Sequence, residues 1–389
     1  MTEELAINGG KPVREKKIFI VEPYLGKEEV EAASECIRTT WISSNGPKGK
    51  AAEKMLAEYL GVKHVVLVSN CTAALHLAMM TLELKEGEVI VPDYTFTSTG
   101  LAPTLCGCKP KLSEVEFDTA NIDVTKIEEN ITPETKAIIP VHYAGHPADM
   151  DAINEIAKKH NLIVIEDAAQ AIGSEYKGKK AGTLSKVGCF SFHTVKNITC
   201  SEGGALVTND DEIAKKARMM RDKGTNKDDF NQSGTVGFYE YISTGHNFML
   251  SDILAAILLE QLKKVDKINE MRAKNADYLT EGLKKLEKIK LPVVKPYAKT
   301  NWHLYTIRVP EGKVDFFVKA MNAEGINANI HYPPLHMNKF YQQYGYKKGD
   351  FLVSEKVFDS LVRLPLYPHL TQEELDDIIK AVKKVHEHL

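Results

Sequence analysis

Short apolar runs alternate, over the first 250 residues, with stretches whose apolar residues recur at helical spacing. The apolar runs predict buried strands at 64–69, 88–92, 136–141, 162–166, 187–192 and 204–208. The stretches before, between and after these runs predict helices at 27–39, 49–60, 72–84, 149–159 and 210–221. Strands that are apolar on both faces are typical of a parallel sheet covered by helices. The pattern therefore favours a large α/β domain with a mostly parallel sheet.

The pattern changes near residue 250, where an apolar block at 253–259 leads into a charged, periodic stretch. This stretch ends near residue 285 and predicts one or two long helices. The elements predicted beyond it are strands at 302–309 and 327–331, a helix at 313–324 and a last helix from Thr371, where Thr-Gln-Glu-Glu resembles a capping box. We therefore expect two domains, a large one at 1–250 and a smaller α+β domain at 251–389.

Composition and charge exclude several classes of protein. The 389 residues include 53 acidic and 50 basic side chains, for a net charge of -3, and only seven are arginines. A nucleic-acid binder needs clustered basic residues, so we expect no nucleic-acid partner. No apolar run reaches the length of a membrane span, and the acidic N-terminus has no secretory signal. We expect no membrane association and a cytoplasmic location.

The sequence predicts no metal site. The six cysteines are scattered, and Cys106 and Cys108 form a C-x-C without a second pair. His142 and His146 have the i, i+4 spacing of zinc-binding helices, but Gly145 between them and a following proline exclude a helix.

Two predicted strands run into ionisable residues. The strand at 162–166 is followed by Asp167, and the Glu166–Asp167 pair suits either a helix cap or a ligand site. The strand at 187–192 leads to Lys196, which stands among apolar and small polar residues. A lysine in a loop is usually solvated, whereas a desolvated one has a lowered pKa and acts as a nucleophile.

Two further strand ends carry weaker signals. Residues 69–74 pass into a helix through small residues, and a helix N-terminus binds phosphate. Tyr94 and Phe96 follow another strand, where aromatics either stack on a flat ligand or pack in the core. The four strand ends together supply a phosphate cradle, a stacking ring, a carboxylate and a lysine. Pyridoxal phosphate needs this set, because its aldehyde forms a Schiff base with lysine and its ring nitrogen pairs with a carboxylate.

Several motifs extend this interpretation to nearly the whole chain. They are Ile7-Asn-Gly-Gly, Trp41-Ile-Ser-Ser-Asn-Gly-Pro, Ser69-Asn-Cys-Thr-Ala-Ala, Glu166-Asp-Ala-Ala-Gln, Phe190-Ser-Phe-His-x-x-Lys-Asn-Ile-Thr, Glu202-Gly-Gly, Gly245-His-Asn and His331-Tyr-Pro-Pro-Leu-His. With these motifs the chain resembles the sugar aminotransferases of the DegT/DnrJ/EryC1/StrS family. That resemblance implies the fold type I of pyridoxal-phosphate-dependent transferases, a large α/β domain with a smaller C-terminal domain.

The resemblance also implies roles for individual residues. Lys196 would bind the cofactor covalently and then move a proton, and Asp167 would pair with the ring nitrogen. The other cofactor contacts implied are Thr72, Ala73 and Ser191 at the phosphate, Gln170 near the ring hydroxyl, Phe96 against the ring, and Asn247 at the phosphate of the partner subunit's cofactor. His331 is implied as a substrate contact, although a histidine beside prolines also suits packing against the large domain. His193 is expected to be a catalytic, hydrogen-bonding residue in the wall that faces the sugar, or else a packed histidine at the strand end.

The segment around Lys196 is similar to the family members that aminate C4 of the sugar. Members that act at C3 tend to have an aromatic–Pro pair before the lysine, which is absent here. We expect a homodimer with shared active sites that moves an amino group from an amino acid, by family inference L-glutamate, to C4 of a nucleotide-linked 4-keto-6-deoxy sugar. The apolar block at 253–259 is a candidate dimer surface. The family's usual Gly-Tyr-Asn-Tyr-Arg is replaced by Gly245-His-Asn-Phe-Met here, without its arginine.

The sequence leaves three alternative functions. The first is amination at C3. The second is a sugar dehydratase on the same scaffold, which uses histidine where this chain has Lys196. The third is a non-catalytic regulator that binds pyridoxal phosphate. Such a regulator needs an added DNA-binding domain, for which the family match leaves no residues.

Overall fold

The computed structural model describes residues 3–227 and 239–389, and its elements follow the alternation expected from the sequence. The described α-helices are α1 (Lys27–Arg38), α2 (Pro47–Leu60), α3 (Cys71–Thr81), α4 (Thr97–Leu105), α5 (Met150–Lys159), α6 (Asp211–Arg221), α7 (Asp252–Leu262), α8 (Val265–Leu283), α9 (Val314–Ala323), α10 (Lys339–Gln342), α11 (Leu352–Phe358) and α12 (Gln372–His386). The described strands are β1 (His64–Val68), β2 (Glu88–Pro92), β3 (Lys109–Ser113), β4 (Thr135–Ile138), β5 (Ile163–Asp167), β6 (Glu175–Tyr176), β7 (Lys179–Lys180), β8 (Val187–Ser191), β9 (Gly204–Thr208), β10 (Ala298–Lys299), β11 (Tyr305–Arg308) and β12 (Leu361–Leu364).

A seven-stranded sheet in the order β1-β9-β8-β5-β4-β2-β3 forms the centre of the large domain. Strands β3, β2, β4, β5 and β8 pair in parallel, whereas β9 is antiparallel to both of its neighbours, β8 and β1. Every strand of this sheet except β9 therefore runs in the same direction. The expected α/β fold with a mostly parallel sheet is confirmed. Because aligned strands end at one edge, their carboxyl ends can build a single site.

Helices cover both faces of the sheet. On one face α3, which is almost wholly buried, packs against the apolar side chains of β1, β2, β5, β8 and β9. On the other face Leu56 of α2 and Leu258 of α7 lie in a core with Phe190 and Val207. The apolar block at 253–259 forms most of α7, and its Ala255, Ala256 and Leu258 are buried inside the chain. Much of the apolar surface that we expected to form a dimer contact is therefore buried in the interior of this chain.

The C-terminal part forms its own core around the antiparallel pair of β11 and β12, with α8, α9 and α12 packed against it. Leu5 and Ile18 from the N-terminal segment are buried in this same core. The Ala6 amide donates a 2.8 Å hydrogen bond to the buried Glu324 carboxylate. The division at residue 250 stays a proposal, with the N-terminal segment lying against the C-terminal part.

For the C-terminal part, one prediction from the sequence is wrong and another is confirmed. The prediction of a strand at 327–331 is wrong. Within that range only Asn329 forms a β-bridge, to Arg363 of β12, and β12 itself was not predicted from the sequence. The two prolines at 333–334 donate no amide hydrogen, and the chain turns there towards the large domain. The predicted cap of the last helix is confirmed, since the Thr371 hydroxyl accepts from the Glu374 amide at 3.2 Å.

Helices long and apolar enough to cross a membrane are absent from the described residues.

Candidate active site

A cavity of about 660 Å³ lies at the edge of the sheet where β1, β2, β5 and β8 end. Each of these strand ends contributes to its wall, and the C-terminal part contributes a short segment at 331–332. The residues used below are Thr72, Phe96, Asp167, Gln170, Ser191, His193, Lys196, Glu202, His331 and Tyr332. The structure thus brings together the polar strand ends that the sequence analysis singled out.

Asp167, the last residue of β5, supplies a buried carboxylate to the cavity; it is 4% exposed. Its Oδ2 accepts from the Thr99 hydroxyl at 2.8 Å, and its Oδ1 accepts from the Ala169 amide at 3.1 Å. Thr99 is itself held 2.9 Å from the Thr95 hydroxyl. Burial raises the pKa of Asp167 above its ordinary value, although these hydrogen bonds and the charge of Lys196 oppose that rise. The carboxylate is therefore held in one orientation, and its charged form is only partly stabilised.

Glu166 has a structural role on the opposite face of β5. Its carboxylate accepts from the Gly182 and Leu184 amides, both at 2.7 Å, and its other contacts are the Ser185 hydroxyl and the ring of His142. Because neighbouring residues of a strand point to opposite faces, only one member of the Glu166–Asp167 pair reaches the cavity. No described helix begins directly after β5, so the helix-cap interpretation of this pair is wrong: Asp167 lines the cavity and Glu166 holds the loop at 182–185.

Lys196 reaches the cavity from a tight loop after β8, where its amide donates to the His193 carbonyl at 2.8 Å. Burial lowers the pKa of its amine to about 8; the charges of Cys71 and Asp167 oppose this shift and that of Arg363 adds to it. A lysine with this pKa is partly neutral near pH 8, and the neutral amine is the nucleophilic form.

The residue after Lys196 fixes the loop in place. Asn197 is buried and donates to the Asn269 side chain at 2.8 Å and to the Asn301 carbonyl at 2.9 Å. Its amide oxygen lies 3.0 Å from Nδ1 of His303. These partners come from α8 and the chain that follows it, so the C-terminal part holds the lysine loop against the sheet.

The N-terminus of α3 points into the cavity and suits a phosphate group, because the first amides of a helix have no acceptor within it. The Thr72 hydroxyl lies 2.6 Å from that of Ser98, and Ser191 stands on the same wall. A Cβ on Gly204 would lie 2.4 Å from the Asn70 carbonyl carbon, so glycine is required for β9 to pass this turn.

Ala73 differs from the other expected phosphate contacts. Its amide donates to the Asn70 side chain at 2.8 Å, which caps the helix, and Ala73 is not part of the cavity wall. The available amides at this helix end are those of Cys71 and Thr72, because they precede the capped position.

The aromatic and amide contacts expected for the cofactor ring lie on the same wall. Phe96 is 52% exposed, and its ring centroid is 5.5 Å from that of Tyr332. Gln170 accepts from the Ala144 amide at 2.8 Å and donates towards the Tyr332 hydroxyl at 3.4 Å. The face of Phe96 is thus free for a ring to stack on, and Gln170 is held at the cavity by two contacts.

His193 and His331 lie on the cavity wall in different settings. Nδ1 of His193 accepts from the Val195 amide, which leaves the proton on Nε2, 3.5 Å from the Glu202 carboxylate. Burial lowers the pKa of His331 to about 2, so its ring is neutral at physiological pH. His193 thus presents a donor paired with a carboxylate, and His331 presents a neutral ring.

Asn247 lies outside the cavity wall. It is exposed and forms a bridge with Asp222 after α6.

The sequence analysis missed several residues that shape the site: Thr99, Asn197, Glu202, Tyr332 and Arg363. Thr95 and Thr99 have i, i+4 spacing at the start of α4, a helical signal that could have been read. Tyr332 and Arg363 come from distant segments, and the sequence carries no local sign of their approach.

The described residues fit pyridoxal 5'-phosphate. Asp167 is a buried carboxylate bonded by neutral donors, Lys196 has a lowered pKa, and a helix N-terminus faces the same cavity. Asp167 would hold the ring nitrogen, Lys196 the aldehyde carbon, and Thr72 and Ser191 the phosphate. When bound, this cofactor supplies an electron sink that lets an amino group move between two substrates. The fold and the site thus define a pyridoxal-phosphate-dependent transferase.

Comparison with known proteins identifies the family. Residues 23–383 match the DegT/DnrJ/EryC1/StrS aminotransferase family, and the chain belongs to it. It is a pyridoxal-phosphate-dependent sugar aminotransferase, as the sequence analysis predicted.

Three relatives show the extent of the similarity. The spore coat polysaccharide biosynthesis protein SpsC of Bacillus subtilis is 36% identical over 93% of this chain and 95% of its own. The structure of DesV from S. venezuelae has a TM-score of 0.86, with 34% identity over 93% of this chain and 95% of DesV. PseC of Helicobacter pylori, an aminotransferase involved in the biosynthesis of pseudoaminic acid, has a TM-score of 0.89, with 31% identity over 96% of this chain and 100% of PseC.

The first prediction concerns the pH dependence of cofactor incorporation. Only the neutral amine of Lys196 attacks an aldehyde, so the rate at which apoenzyme takes up pyridoxal phosphate should rise with pH. The midpoint should lie near the pKa of about 8, in contrast to 10.5 for an ordinary lysine. Stopped-flow absorbance on mixing, followed from about pH 6 to pH 10, measures this rate. Lys196→Ala is the control and should show no covalent uptake; a wild-type midpoint near 10.5 would contradict the assigned burial.

The second prediction concerns Asp167. Asp167→Asn keeps the size of the side chain but removes the charge that stabilises a protonated ring nitrogen. We expect the cofactor to bind and turnover to fall at least ~100-fold, or ~2.7 kcal/mol of barrier. Steady-state kinetics with amino-acid donors measure the loss. Asp149→Asn is the matched control, because Asp149 caps α5 outside the cavity wall. Equal activities of the two variants would show that Asp167 does not serve the cofactor.

Proposed function

We propose that this enzyme transfers an amino group from L-glutamate to C4 of a nucleotide-linked 4-keto-6-deoxy sugar. The observation that carries the proposal is that a buried carboxylate, Asp167, and a half-buried, desolvated amine, Lys196, line a single cavity of about 660 Å³. The roles of SpsC in spore coat polysaccharide biosynthesis and of PseC in pseudoaminic acid biosynthesis support a sugar as the acceptor.

The residues of this chain divide the work between holding groups and moving a proton. Lys196, with its pKa near 8, can take a proton from the α-carbon of the amino donor and, in the second half-reaction, give a proton to the sugar carbon that receives the amino group. Asp167 would keep the ring nitrogen of the cofactor protonated. Phe96 and Gln170 orient the ring, and His193 with Glu202 forms a polar part of the wall that faces the sugar.

Position C4 rests on the segment that carries the lysine. The wall beside Lys196 decides which carbonyl of the sugar comes within reach, and a misplacement of ~1 Å costs ~100-fold. His193 stands on this wall, and the chain lacks the aromatic–Pro pair associated with amination at C3. A dehydratase is disfavoured because residue 196 is lysine and its amine reaches the cavity.

The third prediction tests the acceptor and the position of amination. The pyridoxamine form of the enzyme is mixed in turn with 3-keto and 4-keto nucleotide sugars, and recovery of the aldehyde absorbance reports transfer. We expect recovery with a 4-keto-6-deoxy sugar, and NMR of the product should place the new amine on C4. Amination of the 3-keto compound alone would overturn the C4 assignment and leave the sugar aminotransferase in place. The same assay run in the first direction, with L-glutamate, tests the donor.

We also propose a homodimer in which Asn247 of one subunit completes the cofactor site of the other. Asn247 is exposed and lies outside its own cavity wall. The neighbouring Tyr241 and Ile242 are 66% and 56% exposed, and Trp41 is 53% exposed. The two segments meet where Ser44 bridges Ser251. Exposed apolar side chains on adjoining segments favour burial against a second copy.

The fourth prediction tests shared sites by complementation. Asn247→Asp should weaken cofactor binding, since it puts a negative charge beside the partner's phosphate, and Lys196→Ala should be inactive. Random mixing of the two variants makes half of the dimers mixed, each with one intact site, so activity should recover to about a quarter of wild type. Light scattering should give the mass of a dimer. Additive activities in the mixture, or a fully active monomer, would contradict shared sites.

A further inference from the structure

A buried ion pair joins the large domain to the loop that covers the cavity. The Asp93 carboxylate accepts from the amide of His336 at 2.8 Å and faces the ring nitrogen Nδ1 at 2.7 Å. Both side chains are completely buried. The Asp93 carbonyl also accepts from the Leu335 amide at 2.8 Å. Three contacts thus converge from two successive residues of the loop onto one residue of the sheet domain.

A second carboxylate faces the other side of the same ring. Nε2 of His336 lies 3.1 Å from Glu355 of α11, whose side chain is 15% exposed. Both ring nitrogens therefore face carboxylates, and only the doubly protonated ring donates to both. The two partners raise the pKa of His336 above its ordinary value, although burial opposes the rise.

Further side chains surround the Asp93–His336 pair. Phe351 packs on the His336 ring at 5.1 Å. The Ser354 hydroxyl of α11 contacts Asp93 and donates to Glu114. Burial and the nearby charge of Asp93 raise the pKa of Tyr346. Asp93 and Glu355 are thus the carboxylates that contact the ring directly, and Glu114 is bonded to Ser354.

The ion pair links two parts of the cavity wall. Asp93 is followed two residues later by the wall segment that begins at Thr95, and His336 follows Tyr332 by four residues. The rings of Phe96 and Tyr332, one from each of these segments, contact each other at 5.5 Å between centroids. A change in the Asp93–His336 contact would therefore alter the spacing of these two wall segments without touching Lys196.

We propose that Asp93, His336 and Glu355 position the His331–Tyr332 segment over the cavity, with His336 doubly protonated, and thereby set the affinity for the nucleotide sugar. His336 is a positioning residue, since it lies outside the wall and contacts no substrate. The inference rests on the proposed function for the identity of the sugar alone. The larger substrate covers more of the wall, so the sugar depends on the wall spacing more than the amino acid does.

The fifth prediction is a split between KM and kcat. His336→Gln should raise the KM for the keto sugar about 10- to 100-fold, because small displacements of a wall carry penalties of this size. The kcat of the second half-reaction and the uptake of pyridoxal phosphate should change less than about threefold, since Lys196 and Asp167 keep their contacts. His369→Gln is the matched control: His369 pairs with Glu22 at 3.0 Å on the surface.

The pH dependence of KM separates positioning from a general effect on folding. In the wild type, KM for the sugar should rise as pH increases above 6.5, when His336 loses the proton that serves one carboxylate. Glu355→Gln removes a charge that favours the protonated ring but keeps an acceptor oxygen, so the protein folds and the midpoint moves to lower pH. His336→Gln should show a raised KM without this transition.

The outcomes distinguish this inference from the proposed function. Unchanged sugar KM in His336→Gln, equal losses in both half-reactions, or an unmoved midpoint in Glu355→Gln would each overturn it. If the wild-type enzyme aminates none of the keto sugars offered, the proposed acceptor fails. Amide hydrogen exchange of residues 331–337 then still decides the positioning role, because exchange should quicken in His336→Gln and stay unchanged in His369→Gln.

Discussion

The desolvation of two ionisable groups at one edge of the sheet is the constraint on which the site depends. Burial raises the pKa of Asp167 and lowers that of Lys196, so both charged forms are disfavoured. Neutral donors hold the carboxylate, and the loop of Asn197 holds the lysine. A cofactor with a protonated ring nitrogen would stabilise the charged carboxylate that burial disfavours, and its aldehyde would react with the neutral amine that burial favours. The site is therefore arranged in advance of the ligand, and its reactivity follows from the low polarity around it.

The direction of the strands explains how a single edge carries so many functional groups. Strands β1, β2, β5 and β8 run the same way, so their ends deliver a helix N-terminus, an aromatic ring, a carboxylate and a lysine to one cavity. Strand alternation then separates Glu166 from Asp167. The first is satisfied by four donors and fixes the chain from residue 182 to 185, and the second is left for the ligand. Adjacent carboxylates thus serve architecture and chemistry separately.

Sequence patterns predicted the strands that carry apolar runs and the helices with amphipathic spacing, and they missed elements that have neither pattern. Edge strand β3 contains Lys109, Pro110 and Lys111 and pairs only with β2, so it carries no apolar run. Helix α4 is rich in serine, threonine and proline and has no amphipathic pattern. Lys196 and Asp167 were predictable because strand ends converge by topology. Thr99, Tyr332 and Arg363 were not, since their approach to the cavity depends on how distant segments pack. Ala73 shows the opposite error: a motif gives the position of a helix end, but the cap decides which amide is free.

The two sides of the cavity have different origins, and this matters for an enzyme that must admit an amino donor and a sugar in turn. The cofactor side is built on strands and on a helix within a close-packed sheet, where side chains have little freedom to move. The facing side is a loop of the C-terminal part, held to the sheet domain by the buried Asp93–His336 pair and by Leu335 and Tyr341, which pack in the core around α3. A buried ion pair adds little net stability, but it fixes geometry, because any other arrangement leaves a charge without a partner. The reacting groups are thus fixed by packing within the sheet domain, whereas the facing wall is fixed by packing together with a buried ion pair, so its position depends in part on charge.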